Sequence, residues 1–220
     1  VCLSKVATTP KIKITKVAQM QGHKDAIYDF ALDKEKGIVY SAGADGYIVA
    51  WDLKNPETGN LVLQTNEALY SIAQYGDVLM AGSKSGTIYQ FDLVESDLVS
   101  RNMVHQGGVF FITPTQSGGE DGMLRNHLET TILDEVNGLK LSEDSLRCFT
   151  SNDTYWFIGC SDNRIYKLNK ETLVVDAILE GHTNSVFGVE LIDDYTLVST
   201  GRDAHIRAWD LKLNKEVFSV

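Results

Sequence analysis

Cysteine is scarce in this 220-residue chain: Cys2, Cys148 and Cys160 are the only three, an odd number without a Cys-x-x-Cys spacing. That argues against a disulfide scaffold and a thiolate metal site, and it fits free thiols in a reducing compartment, so the expected location is cytoplasmic. Proline is equally sparse, at three residues, and no low-complexity tract or charge block marks a linker. Long apolar runs are missing too, so no segment approaches the roughly 18 residues of a membrane-spanning helix. The start, Val1-Cys2-Leu3-Ser4-Lys5, has no initiator methionine and no secretory apolar centre, and reads as processed, truncated or engineered. Positive charge is in deficit, with 20 basic against 30 acidic residues and a net −10, which argues against nucleic acid and anionic membranes as partners. Sustained helical periodicity is absent as well.

What is present is repetition. Ser41-Ala42-Gly43-Ala44-Asp45-Gly46-Tyr47-Ile48-Val49-Ala50-Trp51-Asp52-Leu53 returns as Ser199-Thr200-Gly201-Arg202-Asp203-Ala204-His205-Ile206-Arg207-Ala208-Trp209-Asp210-Leu211. Weaker copies run over 81–93, 117–124 and 158–169. Positions equivalent to Trp51 are Phe91, His127, Leu168 and Trp209, at intervals of 40, 36, 41 and 41 residues. Upstream lies a second landmark, Gly22-His23 and Gly181-His182, with His105-Gln106 in the same slot of the third copy. Runs such as Ile38-Val39-Tyr40 and Thr196-Leu197-Val198, separated by Asp-Gly-type turns, predict hairpin-linked antiparallel strands. A lone four-stranded sheet leaves both faces wet, so successive units must stack to bury them.

On these residues the sequence resembles a WD-repeat β-propeller, whose units open near Gly-His and close near Trp-Asp. The resemblance covers roughly residues 12–220, and is strongest in repeats one and five. It implies an all-β propeller of four-stranded antiparallel blades, with five repeats in this chain that would form part of a seven-bladed ring if two more were added. The expected division is an N-terminal extension over 1–11, then repeats over 12–53, 54–93, 94–129, 130–169 and 170–211, and an outer strand over 212–220. Both Lys11–Met20 and Asn214–Val220 read as outer strands, giving six for five blades. In the third repeat, Thr113-Pro114-Thr115-Gln116 predicts a stunted second strand.

The resemblance also implies structural tetrads: His23, Ser41, Asp45 and Trp51 in the first repeat, and His182, Ser199, Asp203 and Trp209 in the fifth. The third repeat keeps a partial set, His105, Ser117 and Asp121. Repeat two, with Ala81, Ser85 and Phe91, has none, and repeat four keeps only Asp162, so that substitution of Ser142 in its histidine slot is expected to be nearly silent. A Ser-His-Asp catalytic reading is disfavoured because the same set occurs in two repeats that cannot both be one active site. No metal or other cofactor is expected, since the histidines fall in separate repeats and no ligand spacing joins them.

The expected function is a non-enzymatic scaffold for a protein or peptide partner, bound through loops carrying Lys24, Asp25, Lys84, Gln106, Thr183, Asn184 and Arg202, together with Ala44 and Glu120. In a closed five-blade ring Lys24 and Arg202 would be neighbours and form one basic spot. The alternative is a propeller enzyme with its site in the central channel or on one face, drawing on inner-strand groups such as Asp29, Ser71 and Glu190.

Overall fold

Short β-branched and aromatic runs, interrupted by turn residues, fold as twenty antiparallel strands in five four-stranded sheets. The computed structural model describes residues 14–127 and 138–220, and among them no helix occurs. The first sheet holds β1 (Ile27–Asp33), β2 (Ile38–Gly43), β3 (Tyr47–Asp52) and β4 (Gly59–Gln64). The second holds β5 (Leu69–Tyr75), β6 (Val78–Ser83), β7 (Thr87–Asp92) and β8 (Asp97–Met103). The third holds β9 (Val109–Ile112), β10 (Gln116–Gly119), β11 (Met123–Asn126) and β12 (Gly138–Lys140). The fourth holds β13 (Leu146–Ser151), β14 (Tyr155–Cys160), β15 (Arg164–Asn169) and β16 (Val175–Glu180). The fifth holds β17 (Val186–Asp193), β18 (Thr196–Gly201), β19 (Ile206–Asp210) and β20 (Lys215–Ser219).

Each sheet is an up-and-down meander, so every blade comes from one continuous stretch of chain. The Asp-Gly turns between second and third strands explain themselves locally. Gly46 sits at φ +75°, and a Cβ there would lie 2.6 Å from the Thr65 carbonyl oxygen, which only glycine avoids. The fifth blade puts Ala204 in that slot at φ 60°. In the third blade β10 has only four residues, because Thr113 and Pro114 cut the passage short as the sequence predicts.

The outer strands resolve the count of six. Residues 14–20 of the first candidate form no strand, and residues 11–13 lie outside the described residues. The fifth blade instead takes β20, which pairs with β19 through Arg207↔Ser219 and Ala208↔Phe218. A short local hairpin closes at far smaller entropic cost than the return of a distant segment.

Four apolar layers hold the blades together, each shared by two neighbours. Tyr40, Ala42 and Ile48 of the first blade meet Leu69, Ile72 and Leu79 of the second. Met80 and Ile88 then pack with Val109 and Ile112, Leu124 with Leu146 and Trp156, and Phe157 and Ile165 with Val186 and Leu197. Inner strands meet in the order β1, β5, β9, β13, β17, which leaves β1 and β17 at the two ends of an arc. The outward faces there are open. Leu69, Val109, Leu146 and Val186 are fully buried, whereas Ile27 in the same slot of β1 is 53% exposed. At the other end, Ile206 is 48% exposed, although its counterparts Ile48, Ile88, Leu124 and Ile165 are buried.

Candidate functional site

The loop before each innermost strand and the turn between second and third strands lie together, because Ile27 pairs with Gly43 and Val186 with Gly201 beside those turns. This face collects the tetrads and every proposed partner-binding loop. In the first blade His23 Nδ1 lies 3.0 Å from both Asp45 carboxylate oxygens, His23 Nε2 2.7 Å from Ser41 Oγ, and Trp51 Nε1–H donates to Ser41 Oγ at 2.8 Å. An ionised Asp45 takes the Nδ1–H, which leaves Nε2 to accept the serine proton. The fifth blade repeats the geometry: His182 contacts Asp203 at 3.0 Å and Ser199 at 2.7 Å, and Trp209 donates to Ser199 at 2.9 Å. The glycine of Gly-His lies on the tryptophan ring, since a Cβ at Gly22 would stand 2.8 Å from Trp51.

Each tetrad aspartate also receives the N–H of the residue after the histidine, Lys24 at 2.8 Å and Thr183 at 3.0 Å. Burial alone would raise the Asp203 carboxyl, but hydrogen bonds from Thr183 N–H, His182 and His205 N–H outweigh it and hold the group at about 2. The chemical outcome is a latch. Ser41 and Ser199 are buried, with the hydroxyl proton directed to histidine and an oxygen lone pair given to indole, so neither serine reaches a substrate.

The degenerate blades use other side chains in the same place. In the third, His105 joins Asp121 at 2.8 Å and Ser117 at 2.9 Å, and Arg125 Nη1 adds an ion pair to Asp121 at 2.9 Å. Burial pushes the His105 imidazole below its ordinary value, against the pull of Asp121. His127, in the tryptophan slot, is buried with neither ring nitrogen bonded to any described residue. The second blade substitutes a hydroxyl chain, Ser83 to Ser85 at 3.2 Å and Ser85 to Thr87 at 3.1 Å, capped by Glu67, which accepts from Ser85 N–H and the Tyr89 hydroxyl. The fourth corrects the expectation of a silent Ser142: its hydroxyl donates to Asp162 at 2.9 Å, and the Tyr166 hydroxyl donates to the same carboxylate oxygen. Ser142 is part of a network.

Around these latches, Lys24, Asp25, Lys84, Gln106, Thr183, Asn184 and Arg202 are all exposed. Their backbones are fixed, as in Lys84 N–H to Ala68 O at 2.9 Å and Arg202 N–H to Ser185 O at 2.8 Å, so the side chains project from a rigid frame. Lys24 and Arg202 do not form the single spot of a closed five-blade ring, because their blades end the arc on opposite sides. Two of the three inner-strand polar groups of the enzyme alternative are committed elsewhere. Asp29 accepts the Ile72 N–H at 2.9 Å, and Ser71 donates to the Val109 carbonyl at 2.9 Å, each bond tying one blade to the next. Cys148 makes the corresponding contact to the Val186 carbonyl at 3.7 Å, and Glu190 is exposed.

One feature of this face lies outside the Gly-His and Trp-Asp landmarks. The residue at the bulge of each innermost strand is Tyr28, Tyr70, Phe110, Arg147 and Phe187. Aligning the repeats on their strand starts, one residue after Ile27, Leu69, Val109, Leu146 and Val186, would have exposed the series.

Comparison with known proteins agrees with this architecture. The family model "WD domain, G-beta repeat" matches residues 14–52 and 174–210, the first and last repeats. The chain is similar to the THO complex subunit 6 homolog of Danio rerio, 23% identical over 176 residues, covering 68% of this chain and 54% of that protein. It is also similar to the WD repeat-containing protein RUP1 of Arabidopsis thaliana, 25% identical over 163 residues, covering 64% of this chain and 40% of that one. The chain thus spans about half the length or less of these relatives. Among solved structures, the WD40 β-propeller domain of Doa1 superposes with a TM-score of 0.76 at 17% identity, over 88% of this chain and 68% of that one. The computationally designed Ika8 protein gives 0.74 at 20% identity, over 91% and 63%. These last two likenesses concern the fold.

Proposed function

Because the chain belongs to the WD-repeat β-propeller family, we propose that it works as a non-enzymatic scaffold that captures a protein or peptide partner on the face bearing the histidine loops and Asp-Gly turns. The observation that carries this reading is the latch itself. Two buried Ser-His-Asp-Trp networks spend every polar atom on fixing loops, and the loops so fixed hold exposed Lys24, Asp25, Thr183, Asn184 and Arg202 in place. Rigid loops lose little entropy on binding, which favours a recognition surface.

The cytoplasmic assignment belongs to the same proposal. Its support is a pair of unpaired thiols, Cys148 and Cys160, which burial pushes up to about 12 and about 11, where a structural thiol stays inert. The scaffold reading is tested by affinity capture with the wild-type chain beside Lys24→Glu, Lys84→Glu and Arg202→Glu, with melting temperatures measured in parallel. Loss of the same partners at unchanged melting temperature is the expected result. Retention of every partner by all three variants would remove this face from consideration.

A further inference from the structure

The bulge residues of the five innermost strands form a continuous arc at the inner rim of the loop face. Tyr28 meets Tyr70 edge to face with ring centroids 5.0 Å apart, and Tyr70 stacks on Phe110 at 5.5 Å with planes 9° apart. The Arg147 guanidinium then lies 4.0 Å from the Phe110 centroid and 5.9 Å from that of Phe187. A bulge frees its residue from the alternation of the strand and re-aims it, which is how five successive blades deliver side chains to one line. The two end rings, Tyr28 and Phe187, are about half exposed, at 52% and 51%.

Arg147 is the unusual member. Its Nε–H donates to Ser161 Oγ at 2.7 Å, which fixes the plane of the fork, yet its Nη groups have no acceptor among the described residues. Glu120 acts on it electrostatically, but one oxygen of that carboxylate is held by the Gly108 N–H at 3.1 Å. A half-buried guanidinium, pinned at one nitrogen and flanked by aromatic faces, presents a pre-organised pair of donors of the kind that takes a carboxylate two-handed.

We propose that this arc is the binding cleft of the scaffold for an extended peptide segment in which an acidic side chain pairs with Arg147 and the neighbouring apolar side chains lie on Tyr70, Phe110 and Phe187. The proposal rests on the scaffold reading and deepens it. Charge complementarity selects the occupant: the chain as a whole carries −10 and gives an acidic partner no long-range steering, so recognition is local to the guanidinium. Successive contacts of 4.0–5.9 Å along the rim exceed the rise of about 3.3 Å per extended residue, and several peptide residues fit along it.

The test uses two capped, fluorescein-labelled pentapeptides, Gly-Phe-Glu-Leu-Gly and its glutamine twin, titrated by anisotropy. The acidic peptide should bind about tenfold tighter, the scale of one charge-assisted pair. Arg147→Gln should erase that preference, and Arg147→Lys should restore only part of it. Phe110→Leu should weaken both peptides alike. If Arg147→Gln fails to fold, Ser161→Ala, which releases the guanidinium without removing it, should still lower the preference. Equal affinity of the two peptides for the wild-type chain, no binding at millimolar peptide, or a preference that survives Arg147→Gln would each overturn the cleft. Partners lost on the Lys24 and Arg202 reversals but kept by the Arg147 variants would overturn it while leaving the scaffold reading standing.

Discussion

His182 shows how one residue holds a loop. Its removal leaves Ser199 and Asp203 buried with lost partners, so His182→Ala should cost about 1–3 kcal/mol in urea unfolding, and His23→Ala should behave alike. Ser142→Ala removes one of several donors to Asp162 and should cost about 0.5–1.5 kcal/mol, clearly above zero and below the histidine changes. Equal losses at all three positions would contradict the networks as drawn. Titration separates the residues further. Burial, the largest influence, holds His105 below its ordinary value in the fold, so the unfolded chain binds a proton first as pH falls. Its stabilising share is therefore complete above about pH 6.5 and is lost on acidification below that. Asp203, held at about 2, adds stability that is present above about pH 4 and disappears as pH falls toward 2. A plot of unfolding free energy against pH should show both declines, and His105→Gln should flatten the upper one.

At the scale of the element, the strands were legible because their signals are local: β-branched runs, Asp-Gly turns, and the Thr113-Pro114 interruption that shortens β10. Gly-His and Trp-Asp likewise placed both complete tetrads. What the sequence concealed depends on partners far along the chain. Residues 14–20 carry strand chemistry but form no strand, because β20 reaches the outer edge of the fifth blade through a short hairpin. Phe110 and Arg147 face the same rim only because bulges interrupt the alternation, and bulges leave no fixed residue signature. Substitution of tryptophan by Phe91 or Leu168 hid the compensating networks of Glu67 and Tyr166. In this series of turns, Ala204 occupies φ 60° where three other blades place Gly46, Gly86 and Gly122 and the fourth places Asn163 at φ 75°. Ala204→Gly should relieve a left-handed alanine and raise stability by about 0.5–1 kcal/mol, a shift that thermal unfolding resolves. A loss of stability would mean that the turn has already adapted to the side chain.

For the whole molecule, the decisive feature is the pair of uncovered blade faces. Ile27 is 53% and Phe30 70% exposed, while Leu69 and Val186 in the first slot, and Ile72 and Val189 in the second, are buried. One family of positions therefore offers its own control. Val186→Thr places a hydroxyl between two blades and should cost about 2 kcal/mol or more, whereas Ile27→Thr in the 220-residue chain should change unfolding free energy by less than about 0.5 kcal/mol. Self-association should respond in the opposite order. Exposed Ile27, Phe30 and Leu32 at one end, and Ile206 and Phe218 at the other, are apolar surface that neighbouring copies can cover. Ile27→Thr combined with Phe30→Ser should lower the apparent mass in light scattering at high concentration, while Val186→Thr should not. If Ile27→Thr instead destabilises as much as Val186→Thr, that face is covered within the chain in solution, and the blades close on one another rather than ending as an open arc.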